Sequence, residues 1–504
     1  MALASTRSAT LEGIGARVVT VEANIGPGLP GIHMVGLGDA AVRESRDRIR
    51  TAVANSTLPW PRTKIMVSLS PAHLPKAGSH FDLPVALAVI AGSDPRAQRR
   101  LGRCMVLGEL GLGGGLRRVE GVLPMLLAAP PTVDWVVVPE ENAAEAALLG
   151  SERILVARTL LEAWNWLLGI VDLPRASAAP APPVPAAPDF ADIAGQAPER
   201  HALEVAAAGG HHVMMVGPPG SGKSMLAERL PSILPPLSPR EMIEATAIHS
   251  VSGAAHRRVV ARRPFVAPHP SLSQAALIGG GSGMPRPGAV SQAHHGILFL
   301  DEASEIRAGV LDSLRIPLET AEVRLTRSRR EVVYPADFQL VMAANTCKCG
   351  APAPAECRCR AHERAAHLRN ISGPLRDRID IWLATGTHDP VVSPIDAEPS
   401  SSIAERVREA RERAAHRWAG TGQPAPVTAR IDPTLIRRDY PAADDAMALI
   451  GAYLSDGTIT QRGVDRVLKL SWTLADLEGA GRPDLDHVAR AVELRSPRIE
   501  GAFA

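Results

Sequence analysis

The chain has 504 residues, too many for one ordinary core and enough for two or three domains of typical size. Lysine plus arginine number 55 against 53 aspartates plus glutamates, and aromatic residues make up 3%, which excludes a whole-molecule field for polyanions and argues against a single-strand binder built on base stacking. No charge-free apolar run approaches the roughly 18 residues of a membrane span, and the opening MALASTRSATLEG lacks the apolar stretch of a signal peptide, so a cytoplasmic protein with no membrane partner is expected.

Along residues 1–172, RVVTVEANI, TKIMVSLS, GRCMVLGELGL and DWVVVPE read as strands, while DAAVRESRDRIRTAVANS and ENAAEAALLG read as helices. This pattern predicts one α/β or α+β domain. Residues 173–188 carry PRASAAPAPPVPAAP, a proline- and alanine-rich run that favours extended backbone and cannot form a core, so a linker is expected there. A second alternating α/β region follows over 189–388. The tail, 389–504, is mostly helical, with SIAERVREARERAAHRW and ITQRGVDRVLKLSWTLADLEG as its clearest segments.

The second region opens with HHVMMVGPPGSGKSMLAERL, which reads as strand, glycine-rich loop and helix start. Gly217, Pro218, Pro219, Gly220, Ser221, Gly222, Lys223 and Ser224 fit GxxxxGK[ST] in full. In such a loop the backbone N–H groups and the helix N-terminus cradle phosphates, the lysine reaches the β and γ phosphates, and the serine hydroxyl ligates Mg²⁺. Downstream, GILFLDE supplies a buried apolar strand, Ile297 to Leu300, ending in Asp301 and Glu302. Asp301 suits the magnesium shell and Glu302 the polarisation of an attacking water. A further strand, FQLVMAAN, ends in Asn345, where an adjacent parallel strand presents a polar side chain to a γ-phosphate.

Between these strands, VRLTRSRREVVYPADF has two short β-prone runs around a basic tip, read as a hairpin from Val323 to Tyr334 with Arg327, Arg329 and Arg330 near its turn. Four of the five cysteines, Cys347, Cys349, Cys357 and Cys359, then form C-x-C-x₇-C-x-C. Cytoplasmic thiols stay reduced, and the charged and proline-rich neighbours make a poor core, so a tetrahedral Zn²⁺ site is expected rather than four packed thiols. Cys104 stands alone in the first domain and is expected in its core.

The two phosphate motifs and the polar strand end resemble those of the AAA+ ATPases, which add an arginine contributed by a neighbouring subunit. Over almost the whole chain, DIAGQAPERHALEVAAAGGHHVMMVGPPGSGKSMLAERLPSILPPL, RPFVAPHPSLSQAALIGGGSGMPRPGAVSQAHHGILFLDE and SGPLRDRIDI are similar to the YifB/ComM family of magnesium-chelatase-like AAA+ proteins. The resemblance implies a P-loop core with a parallel sheet, a C-terminal helical lid, ATP and Mg²⁺ as cofactors, and a homo-oligomeric ring, a hexamer. It assigns Asn345 as the γ-phosphate sensor, Arg378 as the arginine finger with Arg376 as rival, and Arg462 as the lid arginine with Arg466 as rival. It also implies DNA as partner, because ComM members are branch-migration helicases associated with natural transformation. Magnesium chelatase and the MoxR chaperones supply the other reading, a motor that remodels a partner protein. Within the same branch a hairpin before the sensor points into the ring channel, where Arg327, Arg329 and Arg330 would grip phosphates; the glycine-rich ALIGGGSGMPRPG reads as another pore or interface loop.

In the first domain, SLSPAHLPKAGSHFDLPVALAVIAGS and GELGLGGGLRRVEGVLPMLLAA resemble the Lon-protease-like fold of ribosomal S5 type. His80 stands where the family's nucleophile belongs and Leu123 where its base belongs, so a scaffold or DNA-contact role is expected, not proteolysis. Ser79, without a base, is a poor nucleophile.

Overall fold

The computed structural model describes residues 2–36, 40–177, 188–253, 259–281, 285–327, 330–351, 356–360, 362–363, 367–386, 398–422 and 427–495. The strands of the N-terminal region are β1 (Ala2–Glu12), β2 (Gly15–Gly26), β3 (Gly31–Val35), β4 (Lys64–Ser70), β5 (Cys104–Val106), β6 (Glu109–Leu110), β7 (Leu116–Arg117), β8 (Trp135–Pro139) and β9 (Ile154–Ala157). β6 and β7 pair as a small ribbon, and the other seven form one mixed sheet in the order β3-β4-β2-β1-β5-β8-β9. β1 runs antiparallel to β2 from Ala2↔Ile25 to Glu12↔Gly15 and parallel to β5 at Arg7↔Met105. The helix Asp82–Ala91 is buried at every position, as an almost wholly apolar sequence requires. Cys104 is buried in this core.

The second region contains β10 (Val213–Val216), β11 (Phe265–Val266), β12 (Gly279–Gly280), β13 (Arg286–Pro287), β14 (Ile297–Leu300), β15 (Glu322–Arg327), β16 (Arg330–Pro335), β17 (Gln339–Ala344) and β18 (Ile381–Ala384). Five of these form an all-parallel sheet, order β11-β14-β17-β10-β18. Every residue of β10, β14 and β17 is buried, the signature of a sheet covered on both faces. β15 and β16 form the antiparallel hairpin read from the sequence, in register from Glu322↔Pro335 to Arg327↔Arg330. Within the glycine-rich segment, Gly279–Gly280 and Arg286–Pro287 pair as the short antiparallel β12–β13 ribbon, and residues 282–284 lie outside the described residues.

The tail helices share the core of this sheet. In the helix Ser400–Trp418, Ile403, Val407, Ala410 and Ala414 recur at helical spacing and join Val213, Met215 and Leu226 in one apolar cluster. The helix Gln461–Glu478 adds Val467, Leu470 and Leu474. The first region docks on the second through buried polar contacts: the Gly121 N–H donates to Ser250 Oγ at 3.0 Å, and that hydroxyl donates to Glu145 Oε2 at 3.1 Å. A second contact lies at the β1–β2 turn, where a Cβ on Gly13 would meet Val332 of the basic hairpin at 2.5 Å.

Candidate nucleotide-binding site

The chain leaves β10 at Val216, turns through Gly217–Gly222 and enters the helix Lys223–Ile233. Gly220 and Gly222 take φ values of +78° and +83°, and a Cβ on Gly217 would lie 2.1 Å from Thr385 Oγ1, so glycine is required at all three. Lys223 is buried within the loop, and its Nζ donates to the carbonyls of Gly217 at 2.9 Å and Pro218 at 2.7 Å. Burial lowers its pKa, with the Asp301 charge opposing. Gln196, at the start of the helix Ala197–Gly209, donates to the Ser221 carbonyl at 3.0 Å and so props the loop from behind. It carries no motif of its own and is absent from the expected set.

Parallel registers bring the remaining parts to the same edge. Leu300 pairs with Met342 and Val216 with Ala344, so Asp301, Asn345 and Gly217 all leave the sheet together. Ser224 Oγ donates to Asp301 Oδ2 at 2.7 Å, while Asp301 Oδ1 accepts the Glu302 N–H at 2.8 Å. This pair of hard oxygen donors beside a phosphate loop fits Mg²⁺. Glu302 is exposed and has φ +46°, a left-handed conformation uncommon for a non-glycine residue.

The arginines lie at the other end of the strands. Asp380 directly precedes β18, which pairs with β10 from Val213↔Ile381 to Val216↔Ala384, so Arg378 and Asp380 are separated from the phosphate loop by about 13 Å of strand. Arg378 donates to the Pro374 carbonyl at 2.6 Å and pairs with Glu319. It lines a cavity of about 400 Å³ together with Asp377, Arg430, Arg462, Arg466 and Lys469. The two lid candidates differ in freedom. Arg466 is tied at 2.8 Å to Asp380, which is fully buried, whereas Arg462 is 70% exposed and meets Asp377 only at 3.6 Å. Burial pushes the Asp380 carboxyl up, but Arg466, His211 and His212 outweigh it and hold it well below the usual range. Arg376 sits in the short helix Gly373–Arg376 just before.

Three family models match in succession: subunit ChlI of Mg-chelatase over residues 21–142, magnesium chelatase subunit ChlI over 189–391, and its C-terminal part over 397–495. The chain is 46% identical over 501 residues to an uncharacterised protein of Mycobacterium tuberculosis, covering 98% of this chain and 99% of that one. It is 36% identical over 501 residues to YifB of Escherichia coli (98% and 97% covered) and 36% identical over 511 residues to the competence protein ComM of Haemophilus influenzae (98% of each). The chain belongs to the YifB/ComM, magnesium-chelatase-like family. A shorter stretch of 145 residues is 31% identical to Lon protease 2 of Bacillus subtilis, covering 27% of this chain.

Beside the nucleotide edge of this YifB/ComM chain, the four clustered cysteines converge. Their sulfurs all lie within 4.8 Å of one another, with Cys347 and Cys349 at 3.2 Å and Cys349 and Cys357 at 3.6 Å, and none forms a disulfide. Four thiolates around Zn²⁺ sit about 3.8 Å apart, the spacing that 2.3 Å bonds impose on a tetrahedron. The residues fit the metal.

At the hairpin, the backbones of Arg327 and Arg330 face each other at the turn end of the ribbon, and Arg329 lies outside the described residues. In the first region, Ser79 Oγ hydrogen-bonds Glu109, the His80 ring bonds the Ala9 carbonyl at 2.7 Å, and Leu123 is fully buried. These three side chains form no nucleophile–base pair.

Proposed function

We propose that this protein is a Mg²⁺-dependent AAA+ ATPase that assembles into a homo-hexameric ring in the cytoplasm and drives DNA through branch migration. The observation that supports the reading best is a separation along the strands: Lys223, Ser224 and Asp301 gather at one end of the parallel sheet, whereas Arg378 and Arg462 line a cavity at the other, an arrangement that suits a nucleotide bound by a neighbouring copy.

In this reading Lys223 and the N–H groups of Gly220 to Ser224 bind the phosphates. Mg²⁺, held by Ser224 and Asp301, supplies neutralisation of charge on the phosphate oxygens. Glu302 orients the attacking water and accepts its proton, and Asn345 contacts the γ-phosphate. Arg378 and the exposed Arg462 approach the same phosphate from the adjacent subunit. The buried Asp380–Arg466 pair favours Arg462 over Arg466 as the mobile cation, since breaking a buried pair leaves an uncompensated charge.

The hairpin carries the DNA assignment. Changing Arg327, Arg329 and Arg330 together to Ala is expected to leave basal ATP turnover nearly intact and to weaken DNA binding regardless of sequence, with the salt slope falling by about one per lost phosphate contact. Binding titrations over a salt series check this. Unchanged DNA binding would move the DNA path to another surface, the N-terminal region first. The near balance of 55 basic and 53 acidic residues is compatible with the second reading, a motor that remodels a partner protein, which becomes the better one should DNA have no effect on turnover.

We further propose that Cys347, Cys349, Cys357 and Cys359 hold a structural Zn²⁺. Protein purified without added metal should carry about one zinc per chain, and changing Cys357 and Cys359 to Ser should remove it. A metal-free protein of full activity would return the thiols to mere packing.

A further inference from the structure

The cysteine segment touches the phosphate loop of its own subunit. Cys347 follows the sensor residue Asn345 by two positions and is buried. The Gly350 N–H closes back onto the Cys347 carbonyl at 3.3 Å, making Cys347–Gly350 one tight turn. Gly350 has φ +65°, and a Cβ placed on it would come within 3.2 Å of Pro219 Cγ. The tip of the turn therefore rests on the phosphate loop, at the point where Pro219 and Gly220 are exposed. Behind the turn, the His367 ring lies against the backbone of Asn345. Cys347 is thus buried at the end of β17 on the side of the phosphate loop, Cys349 stands exposed beside it, and the second two cysteines reach them from later in the chain.

We propose that this thiol knuckle is a metal-controlled brace on the phosphate loop: Zn²⁺ at Cys347, Cys349, Cys357 and Cys359 sets the ATP affinity of the same subunit. The inference rests on the zinc reading above. A tetrathiolate centre fixes the turn at Cys347 and Cys349 to the strand-distal Cys357 and Cys359, leaving Gly350 one place to sit. Without the metal the turn gains conformations in which Pro219 has no neighbour on that side. Ordering the phosphate loop must then be supplied by ATP binding itself, which weakens affinity. The position of Gly350 offers a probe that leaves the thiols alone, because an alanine there would combine left-handed backbone with pressure on the Pro219 ring.

The experiment uses the full-length protein with Mg²⁺ in excess throughout. Zinc is counted, then stripped with a zinc-selective chelator, and the affinity for a fluorescent ATP analogue is titrated before stripping, after stripping and after Zn²⁺ is restored. Stripping should weaken binding about tenfold and restoration should recover it; Gly350→Ala should keep its zinc and still bind about tenfold more weakly. Circular dichroism is read alongside, and Gly350→Ala decides the matter if the stripped chain unfolds. Zinc that leaves without changing affinity, or a zinc-loaded Gly350→Ala that binds like the unmodified protein, overturns the brace while the zinc site stands. Protein that never carries zinc overturns both.

Discussion

Replacing Glu302 with Gln should leave ATP binding intact and lower turnover by about 10² to 10⁴, the usual contribution of a positioned acid–base group. The substitution keeps the side chain's shape and its left-handed backbone at φ +46°, and removes only the carboxylate that takes a proton from water. Lys223 and the loop amides, which would bind the phosphates, are untouched, as is the 2.7 Å pair between Ser224 and Asp301. Equilibrium binding and single-turnover hydrolysis measured on the same preparation separate the two effects. Turnover at the unmodified rate would remove Glu302 from the chemistry, whatever its position beside Asp301.

Arg378→Ala should be at least as damaging, because an arginine supplied by a neighbour contributes about 10³ to 10⁵ in phosphoryl transfer. The Arg378→Ala chain should still bind ATP, since Arg378 lies at the opposite end of the strands from its own phosphate loop. Mixing it with Lys223→Ala chains gives the sharper reading. Where an Arg378→Ala subunit receives the intact arginine of a Lys223→Ala neighbour, one complete site forms from two inactive proteins. Recovered turnover in the mixture is the expected result; mixed rings that remain inactive would mean that the cation completing the site is not Arg378.

The nucleotide edge was legible in the sequence because its chemistry demands contiguous residues: a glycine loop that must end in Lys223 and Ser224, and a buried strand that must end in Asp301. The basic hairpin was legible too, since β-branched runs either side of a charged tip have few other outcomes. β1 is harder to see. ALASTRSATLE is short of large apolar side chains, and it becomes a central strand only through its long pairing with β2. The difference between Arg462 and Arg466 has no local signature, because it depends on Asp380 being buried beneath one and not the other. Cysteine spacing suggested a metal, but the contact between Gly350 and Pro219 comes from the parallel register that sets β17 beside β10. The apolar stripe of the first tail helix, Ile403 to Ala414, is visible in the sequence, but that it joins the core of Val213, Met215 and Leu226 is set by tertiary packing.

If ATP hydrolysis by the proposed ring is coupled to DNA, turnover measured without DNA, with single-stranded DNA and with branched DNA will show it. Assembled rings should show basal turnover that branched DNA raises most, with the stimulation falling as salt rises, as phosphate contacts through a basic hairpin require. Turnover indifferent to every DNA across the salt series, in rings shown to be assembled and to bind ATP, would contradict it.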